Sequence, residues 1–350
     1  MYFAELFADR WCGAMIKEAI HEIVKGNDLD YKTANTAMLE IMEGKATNAQ
    51  IGGFLTALRL KGETVDEIAA CAAAMREKCT QVGHRSDDVL EIVGTGGDEA
   101  NTFNISTTAS FVVAAAGVTV AKHGNRSVSS KCGAADCLES LGARLELDAL
   151  QNKKMLDDIG MCFMYAPVYH ASMKYAAPVR KELGVRTIFN ILGPLGNPAA
   201  ANIQLMGVYD KELIRPMAKV LAKLGVQRGA VVYGDGLDEI TVCGKTTVCE
   251  IAGGKFNEYE IDPKNYDMEY AALSELVGGA GMENAQITKT VLSGAPGAKR
   301  NAVLLNAGMS LYLAGRAANL ADGMEKAANA IDSGNAYKKM EEFIKTTNEV

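Results

Sequence analysis

The sequence lacks the features that mark secreted, zinc-binding and membrane-spanning proteins. Its eight cysteines are scattered over 350 residues without a CxxC pair, and only four histidines accompany them, so we expect neither a disulfide framework nor a zinc site. The longest apolar stretch, Phe111–Ala121, contains Gly117 and Thr119 and is too short to cross a bilayer. The first ten residues lack the basic-then-apolar order of a secretory signal. These absences favour a cytoplasmic protein with no membrane partner.

An excess of positive charge is also missing. The chain has 36 Lys and Arg residues against 43 Asp and Glu residues, a formal net charge of −7, which argues against a protein that coats nucleic acid. This balance still allows a local cationic pocket for an anionic metabolite. Hydrophobic residues make up 48% and charged residues 23% of the chain, near the values of globular proteins. The length suggests two domains, at roughly 150 residues each.

The first part of the chain, up to about residue 80, is predicted to be helical. Apolar residues recur at helical spacing over Met15–Val24, and Tyr31–Met42 predicts a second helix. Two capping boxes, Thr47–Gln50 and Thr64–Glu67, predict the starts of two more helices. The short loops between these segments imply antiparallel neighbours.

Beyond residue 84 the pattern changes to short apolar strands that alternate with helices. The predicted strands are Val89–Val93, Val118–Ala121, Leu205–Val208, Ala230–Tyr233 and Thr247–Ile251. The predicted helices are Ser106–Ala116, Ala134–Leu141, Lys211–Leu224, Ala302–Ala314 and Leu320–Thr347. This alternation predicts an α/β fold with a largely parallel sheet.

A glycine-rich loop, Gly94–Asp98, directly follows the first predicted strand, and Asn104–Thr107 opens the next helix. Glycines let the backbone approach an anion closely, and a helix N-terminus adds unpaired N–H groups and the positive end of a dipole. Asp98 would repel phosphate, so we expect it to bond a ribosyl hydroxyl, a backbone amide or metal-bound water. The loop matches neither the Walker motif nor GxGxxG, and a tight turn before a capped helix explains it equally well.

A second polar loop, Lys122–Lys131, follows the second predicted strand and contains three cationic residues, four hydrogen-bonding side chains and a glycine. A solvated surface loop is one interpretation. However, ligands of open α/β sheets bind at the carboxyl ends of the strands, and two loops suited to polyanions follow consecutive strands. We therefore favour a phosphate site.

A third feature, Val231–Glu239, ends an apolar strand with the adjacent carboxylates Asp238 and Glu239. Magnesium prefers oxygen ligands and usually joins one or two carboxylates to substrate phosphates. An ordinary acidic turn around Gly234 and Gly236 is equally plausible when the segment is taken alone. Beside two phosphate-binding loops, metal binding is the better hypothesis.

Together, these segments and one more resemble the anthranilate phosphoribosyltransferases. The matching motifs are GTGGDEANTFNIST (94–107), KHGNRSVSSKCGAADCLE (122–139), MKYAAPVRKELGVRTIFNILGPLGNP (173–198) and VYGDGLDE (232–239). The resemblance implies transfer of the phosphoribosyl group of 5-phosphoribosyl 1-pyrophosphate (PRPP) to the amine of anthranilate in tryptophan biosynthesis. The first two motifs are partly shared with the pyrimidine nucleoside phosphorylases, the nearest alternative, whereas the third favours the transferase. A non-catalytic relative that binds nucleic acid is a more distant alternative.

The resemblance also implies the domain organisation. It predicts a small helical domain and a larger α/β domain with a central, largely parallel or mixed sheet flanked by helices. The helical domain would comprise residues 15–84 plus about 173–200, and the α/β domain residues 85–172 plus about 201–350. Residues 1–14 would be an N-terminal extension. Family members usually form homodimers through the helical domain.

Carried over residue by residue, the resemblance implies sites for PRPP, for anthranilate and for two Mg²⁺ ions. The PRPP site would comprise Gly94, Gly97, Asp98, Thr102, Asn104, Ile105, Ser106, Thr107, Lys122, His123, Gly124, Asn125, Arg126, Ser127, Val128, Ser129, Ser130 and Ala134. The anthranilate site would comprise Gly94, His123, Asn125 and Arg180, and the metal site Ser106, Asp238 and Glu239. Lys122 would act electrostatically, and no residue would serve as a general acid or base.

The roles of Arg180 and His170 also have simpler interpretations. A planar guanidinium suits the anthranilate carboxylate, but without the resemblance Arg180 would be taken as a solvated helix cation beside Lys181. His170 is expected to be a packing residue.

Three departures from the family pattern affect the expected affinity for substrate more than the reaction. Ala134 stands where many relatives have serine, and Glu99 stands where glycine is common. Ala171-Ser172 replaces the commoner Pro-Ala after His170. The serine-to-alanine change removes one hydroxyl, and Glu99 adds a carboxylate beside the first loop.

Overall fold

The computed structural model describes residues 14–127 and 131–350. Predictions for the extension up to Gly13 and for Val128, Ser129 and Ser130 lie outside the described residues. The helices are α1 Ala14–Val24, α2 Tyr31–Met42, α3 Asn48–Lys61, α4 Val65–Glu77, α5 Ile105–Ala115, α6 Ala134–Leu141, α7 Ala149–Ile159, α8 Ala166–Tyr169, α9 Ala177–Leu183, α10 Phe189–Leu192, α11 Ile214–Lys223, α12 Leu273–Leu276, α13 Gly281–Leu292, α14 Ala298–Leu313, α15 Leu320–Asp332 and α16 Asn335–Glu349. The strands are β1 Leu90–Gly94, β2 Val120–Gly124, β3 Met161–Tyr165, β4 Ile203–Gly207, β5 Arg228–Tyr233, β6 Thr246–Ala252 and β7 Lys255–Ile261.

Both predicted capping boxes are confirmed. The Thr47 hydroxyl accepts a hydrogen bond from Gln50 N and the Gln50 side chain accepts one from Thr47 N, which starts α3. Thr64 and Glu67 repeat this exchange at the start of α4. Glu67 is fully buried, and its carboxylate also accepts a hydrogen bond from Leu29 N at 2.8 Å. One side chain therefore both begins α4 and holds the turn that leads into α2.

The sheet is mixed and seven-stranded, as predicted in outline. Its order is β3-β2-β1-β4-β5-β6-β7. The five strands from β3 to β5 are parallel, whereas β6 and β7 pair antiparallel to their neighbours. The chain moves from β1 to β2 and β3 on one side, and then returns to place β4 and β5 on the other. The connections therefore diverge between β1 and β4.

The sequence did not reveal two of the strands. The run that forms β3 is short and entirely apolar, and such a run does not distinguish a buried strand from part of a helix. The polar β7 is an edge strand that pairs with β6 through Gly253 and Gly254, both with positive φ. A Gly-Gly pair between two runs is the signal of a two-residue hairpin, and it was available in the sequence.

Several predicted helices differ in extent from those observed. Lys211–Leu213 is a 3-10 turn, so α11 begins only at Ile214. The predicted helix Leu320–Thr347 is two helices, because Gly334 with φ 76° separates α15 from α16. α7 and α13 were not predicted. No described helix is long and apolar enough to cross a membrane.

Two hydrophobic clusters pack on the two faces of the sheet. One cluster contains α5, α14 and α16 together with β1, β2 and β3. The other joins α1–α4 to α11 and to residues of β4, β5 and β6. Apolar residues from Ala176 to Leu195 belong to this second cluster, and α9 packs on α3. On α1, Ile16 and Ile23 are buried as the periodicity predicts, whereas Val24 is 71% exposed.

A fully buried carboxylate lies in the middle of the sheet. Glu91 on β1 faces its register partner Gln204 on β4, and both side chains are completely buried. His123 N donates to Glu91 Oε1 at 3.3 Å. Burial raises the pKa of Glu91 to about 7, although the Asn197 amide and the charge of Lys122 lower it in part. The protonated form of Glu91 is therefore favoured by folding.

The Glu91→Gln substitution is expected to reduce the pH dependence of stability. A carboxyl pKa raised from 4.5 to about 7 stabilises the fold below pH 4.5, and this contribution is lost as the pH rises through 7. The midpoint of urea unfolding should therefore fall less between pH 5 and pH 8 in Glu91→Gln than in the parent chain. The exposed Glu341→Gln is the charge-matched control. Equal pH dependence in all three proteins would contradict the assignment.

Candidate active site

Two glycines that face each other across β1 and β4 make room for Asp238 at the carboxyl edge of the sheet. Gly94 and Gly207 are register partners at the ends of these strands. A Cβ on Gly94 would lie 2.1 Å from Asp238 Oδ2, and a Cβ on Gly207 would lie 1.5 Å from the Asp238 carbonyl oxygen. In open α/β sheets ligands bind where the connections diverge. The two glycines therefore bring a carboxylate to the position where this fold places a ligand.

Backbone amides hold the two adjacent acids. Gly96 N donates to Asp238 Oδ2 at 2.6 Å, and Ser106 N at the start of α5 donates to Glu239 Oε1 at 3.1 Å. The sequence predicted that amides of this loop and of this helix N-terminus would bind phosphate. In the structure these two amides donate to carboxylates of the chain instead. At the start of α5 the Glu239 carboxylate takes the place that an external anion could occupy. The segments predicted to bind phosphate and metal are thus joined by hydrogen bonds.

Burial raises the pKa values of both acids. The pKa of Asp238 rises to about 7, first through burial and then through the charge of Asp98. The pKa of Glu239 rises to about 8 through burial and the charge of Asp238, while Lys122 lowers it in part. Two enclosed carboxylates are therefore incompletely balanced by the nearest cation. A bound cation would favour their ionised forms.

Lys122, which the sequence placed in the second loop, lies on β2 and is buried close to this pair. Lys122 is 2% exposed, and its ammonium donates to Ile92 O at 2.8 Å and to Ser106 Oγ at 3.3 Å. Burial lowers its pKa, whereas Glu239 and Glu91 raise it. Lys122 and Ser106, which are predicted site residues on separate elements, are thus in direct contact.

Ser106, Asp238 and Glu239 fit a magnesium site. They supply only oxygen donors, and the Gly94 position leaves the Asp238 carboxylate room that any side chain would fill. No three His, Cys, Asp or Glu residues in ranges 14–127 and 131–350 form a ready-made metal cluster. Magnesium commonly takes only one or two carboxylates and completes its shell with water and substrate phosphates. The donor set is therefore suited to an ion that arrives with a phosphorylated substrate.

The first loop has an unusual backbone. Gly96 and Gly97 have φ values of 66° and 80°, and Glu99 and Asn101 follow with 59° and 52°. Left-handed φ is uncommon for residues other than glycine. Asp98 Oδ1 accepts from Ala100 N at 3.2 Å, one of the three partners expected for it. Successive residues in such conformations can form a concave nest of N–H groups for an anion.

The residues between this loop and α5 form a second wall. Thr102 bridges to Val277, and Phe103 N donates to Leu276 O at 2.9 Å. Asn104 Nδ2 donates to Cys132 O, which links the first loop to the second. Ile105 and Thr107 are buried within α5.

The second loop is organised by Asp136 on α6. The Asp136 carboxylate accepts from Ser127 N at 3.0 Å and from Gly133 N at 2.8 Å, and it pairs with Arg126. Glu139 adds a second partner to the same guanidinium. The charge of Arg126, which the sequence suggested was available for phosphate, is therefore shared with two carboxylates of the chain.

The base of this loop is closely packed. A Cβ on Gly124 would lie 2.9 Å from the Phe163 ring and 3.3 Å from Ala134 Cβ. Asn125 is exposed and accepts from Arg126 N through its own side chain. The alanine at position 134 thus touches the loop through packing and not through a hydroxyl.

His123 and His170 lie side by side with ring centroids 5.0 Å apart. Both are buried, and burial lowers the pKa of His123 to about 3 and that of His170 to about 4. Arg180 is partly buried on α9, and its guanidinium lies over the Phe189 ring at 5.0 Å. No ion pair joins Arg180 to another described residue, and no hydrogen bond among the described residues joins it to Gly94 or Asn125.

One residue beside the first loop was not predicted from the sequence. Arg186 donates through Nη2 to the carbonyl of Gly97 and stacks over the Tyr209 ring at 4.3 Å. It lies in the 173–198 motif, but nothing in the spacing indicates a contact 89 positions away. The arginine side chain connects that motif to the carboxyl edge of the sheet.

Two surface hollows of the protein lie away from these residues. These hollows, of about 580 and 410 Å³, lie beside α13 and share Gln286, Thr290 and Ala295. None of the predicted substrate or metal residues lines either hollow. The chemistry of the side chains, and not the size of a cavity, identifies the site.

Comparison with known sequences agrees with both parts of the fold. Residues 17–79 match the helical bundle domain of a glycosyl transferase family, and residues 86–337 match the a/b domain of the same family. The anthranilate phosphoribosyltransferase of Ruminiclostridium cellulolyticum is 57% identical over 95% of this chain and 98% of its own length.

Solved structures are similar over almost the whole chain. The anthranilate phosphoribosyltransferase of Thermus thermophilus superposes with a TM-score of 0.90 at 41% identity, covering 94% of this chain and 99% of its own. The Saccharomyces cerevisiae enzyme in complex with PRPP and Mg gives a TM-score of 0.88 at 30% identity, covering 96% and 99%. The yeast enzyme has also been solved in complex with 4-fluoroanthranilate, with a TM-score of 0.87 at 30% identity over 97% and 99%.

The Gly94→Ala substitution is expected to displace the Asp238 carboxylate, because the added methyl group would overlap Oδ2. The Mg²⁺ concentration needed for half of the maximal rise in melting temperature should then increase by about tenfold or more, as for other disturbed metal supports. Gly52→Ala in α3 is the matched control, since its Cβ would make only an ordinary 3.7 Å contact with Val179. An unaltered Mg²⁺ response in Gly94→Ala would contradict this geometry.

Proposed function

The chain belongs to the anthranilate phosphoribosyltransferase family, and we propose that its reaction takes place at the sheet edge between β1 and β4. The enzyme transfers the phosphoribosyl group of PRPP to the amine of anthranilate, giving N-(5-phosphoribosyl)anthranilate and pyrophosphate. The observation that carries the location is the Asp238–Glu239 pair, with Asp238 buried and Glu239 partly buried, set against two glycines and Lys122. The family relationship does not favour a nucleoside phosphorylase or a nucleic-acid-binding protein.

The two loops at this edge would hold PRPP. In the first loop and at the start of α5, we assign this role to Gly94, Gly97, Asp98, Thr102, Asn104, Ile105, Ser106 and Thr107. In the second loop, we assign it to Lys122, His123, Gly124, Asn125, Arg126, Ser127 and Ala134, and also to Val128, Ser129 and Ser130 outside the described residues. The contacts of Asn104 with Cys132 and of Lys122 with Ser106 support a single binding site, because they join the start of α5 to both ends of the second loop.

Ser106, Asp238 and Glu239 would hold magnesium, and we propose two ions per chain. Magnesium bound here would neutralise charge on the diphosphate as it leaves. The yeast relative was solved with PRPP and Mg, and the oxygen donors of this chain suit the same ion. Lys122 would add positive charge next to Ser106, because its ammonium is held there by hydrogen bonds to Ile92 O and Ser106 Oγ.

Anthranilate would bind on the side of His123, Asn125 and Arg180, next to Gly94. The guanidinium of Arg180 lacks an ion pair among the described residues and is anchored on the Phe189 ring, so it remains available for a carboxylate. The yeast relative binds 4-fluoroanthranilate. Burial keeps the His123 and His170 rings neutral near pH 7, so either ring could pack against the aromatic ring of anthranilate.

The reaction is a displacement at the ribose C1 with inversion. The aromatic amine of anthranilate is neutral at pH 7 and needs little help from a base. Lowered pKa values make His123 and His170 poor proton donors, which agrees with a mechanism without a general acid. Catalysis would come from in-line placement of the two substrates and from positive charge around the leaving group.

We propose the same domain division as the sequence suggested, with residues 15–84 and about 173–200 forming the helical domain. Packing of Ala176–Leu195 into the cluster of α1–α4 supports it. We also propose a homodimer through this domain, since Val24 and Leu60 leave apolar surface exposed there. A cytoplasmic location is supported by the described cysteines, none of which forms a disulfide.

The paired Asp238→Asn and Glu239→Gln substitutions should lower turnover by about a hundredfold or more, because both metal-binding carboxylates become neutral. The measurement is the loss of anthranilate fluorescence in the presence of PRPP and Mg²⁺, with release of pyrophosphate measured in parallel. Asp235→Asn with Glu341→Gln removes the same charge at exposed positions and should retain activity. Full activity in the first variant would reject the metal site, whereas a folded parent chain that consumes no anthranilate would reject the function.

The Arg180→Ala substitution should raise the KM for anthranilate by about tenfold, as expected for loss of a charge-assisted hydrogen bond. The KM for PRPP should change less than about twofold. Lys181→Ala, at the exposed neighbouring position, should leave both constants unaltered. An equal rise in both KM values for Arg180→Ala would remove Arg180 from the anthranilate site.

A further inference from the structure

We propose that Arg186 is a positioning residue for PRPP, and that Glu99 opposes it. The inference rests on the proposal that the Gly94–Asp98 loop binds PRPP. Arg186 lies just before α10 in the 173–198 motif, whereas the loop follows β1. Arg186 therefore connects the segment that contains Arg180, proposed to bind anthranilate, to the loop proposed to bind PRPP.

Two peptide units of the loop, with one other unit between them, are held by an acid and by a cation. Gly96 N donates to the Asp238 carboxylate at 2.6 Å, and the carbonyl of Gly97 accepts from Arg186 Nη2. Asp238 accepts from one peptide N–H, and Arg186 donates to the carbonyl two peptide units later. This opposed pair of contacts fixes the left-handed turn at Gly96 and Gly97 without using the amides of Gly97 and Asp98.

The Arg186 guanidinium is itself held in place by Tyr209. It stacks over the Tyr209 ring at 4.3 Å, and Tyr209 N donates to the Thr95 hydroxyl at 3.1 Å. Thr95 N in turn donates to Gly207 O at 3.0 Å. Arg186, Tyr209 and Thr95 thus form a chain of contacts that ends at the glycine pair of β1 and β4. A planar guanidinium can stack on a ring face while its N–H groups donate in its own plane, a geometry that the compact ammonium of a lysine does not reproduce.

Glu99 competes with this arrangement. Its carboxylate lies 3.9 Å from Arg186 Nη2, the same nitrogen that binds Gly97. Glu99 also has a φ of 59°, a conformation that glycine adopts without strain and glutamate does not. A strained residue at a site indicates a functional constraint. We infer that the Glu99 charge draws Arg186 away from Gly97 and so weakens the hold on PRPP.

The Arg186→Met substitution keeps the length of the side chain and removes its charge and donors. We expect the Kd for PRPP, measured by calorimetry with Mg²⁺ and without anthranilate, to rise by about tenfold. The KM for PRPP should rise equally, while the KM for anthranilate should remain within about twofold. Arg186→Lys should recover only part of the loss. Lys181→Met, in the same segment, is the control and should bind PRPP as the parent chain does.

A purely structural role would give a different result. In that case the melting temperature and the KM values of both substrates would change together in Arg186→Met. A selective rise in the KM for anthranilate would instead assign Arg186 to the other substrate. Either result overturns the proposal. If the parent chain does not bind PRPP, the proposed function fails, whereas unaltered binding in Arg186→Met overturns this inference alone.

The Glu99→Gln substitution tests the opposing charge without changing the backbone strain. The KM for PRPP should fall by about threefold at low ionic strength, and the difference should shrink in 1 M salt because exposed charges are screened. In the Arg186→Met background the same substitution should have little effect, since its influence passes through Arg186. A full-sized effect in that background would show direct repulsion of PRPP and contradict the role of Arg186.

Discussion

Asp238 lies against Gly94 and Gly207, and most of the active site depends on this close approach. A side chain at either glycine would occupy the space of the acid or of its backbone. Because Asp238 is seated there, it can accept from Gly96 N, and Glu239 next to it can accept from the start of α5. The shape of the first loop, the position of α5 and the spacing of the two carboxylates are therefore coupled through one contact between backbone and side chain.

The electrostatics of the site explain how an acidic protein can bind a highly anionic substrate. The charges of Lys122, Asp238 and Glu239 at the sheet edge are of both signs, with Lys122 and Asp238 buried and Glu239 partly buried. Magnesium would complete the balance when it arrives with the substrate phosphates. The net charge of −7 therefore says little about the balance of charges at this edge of the sheet.

Local signals predicted much of the fold, but contacts distant in sequence could not be predicted. The capping boxes at Thr47 and Thr64 depend only on residues three positions apart, and they are confirmed. The acids at 238–239 could be identified from the sequence because they follow an apolar strand closely. The pairing of Gly94 with Gly207 requires the register of β1 and β4, and the contact of Arg186 with Gly97 requires the packing of two segments. The neutralisation of Arg126 by Asp136 and Glu139 depends on how α6 leaves the loop.

The second hydrophobic cluster has a consequence for how the chain is made. It begins with Ile16 on α1 and includes Cys249 and Ile251 on β6. During synthesis the N-terminal helices emerge first, yet α4 packs against α11, which begins only at Ile214. Chains are extended at roughly 5–20 residues per second, so these helices would wait many seconds for their partners. An early helical bundle with an uncovered face is therefore a candidate client of chaperones at the ribosome.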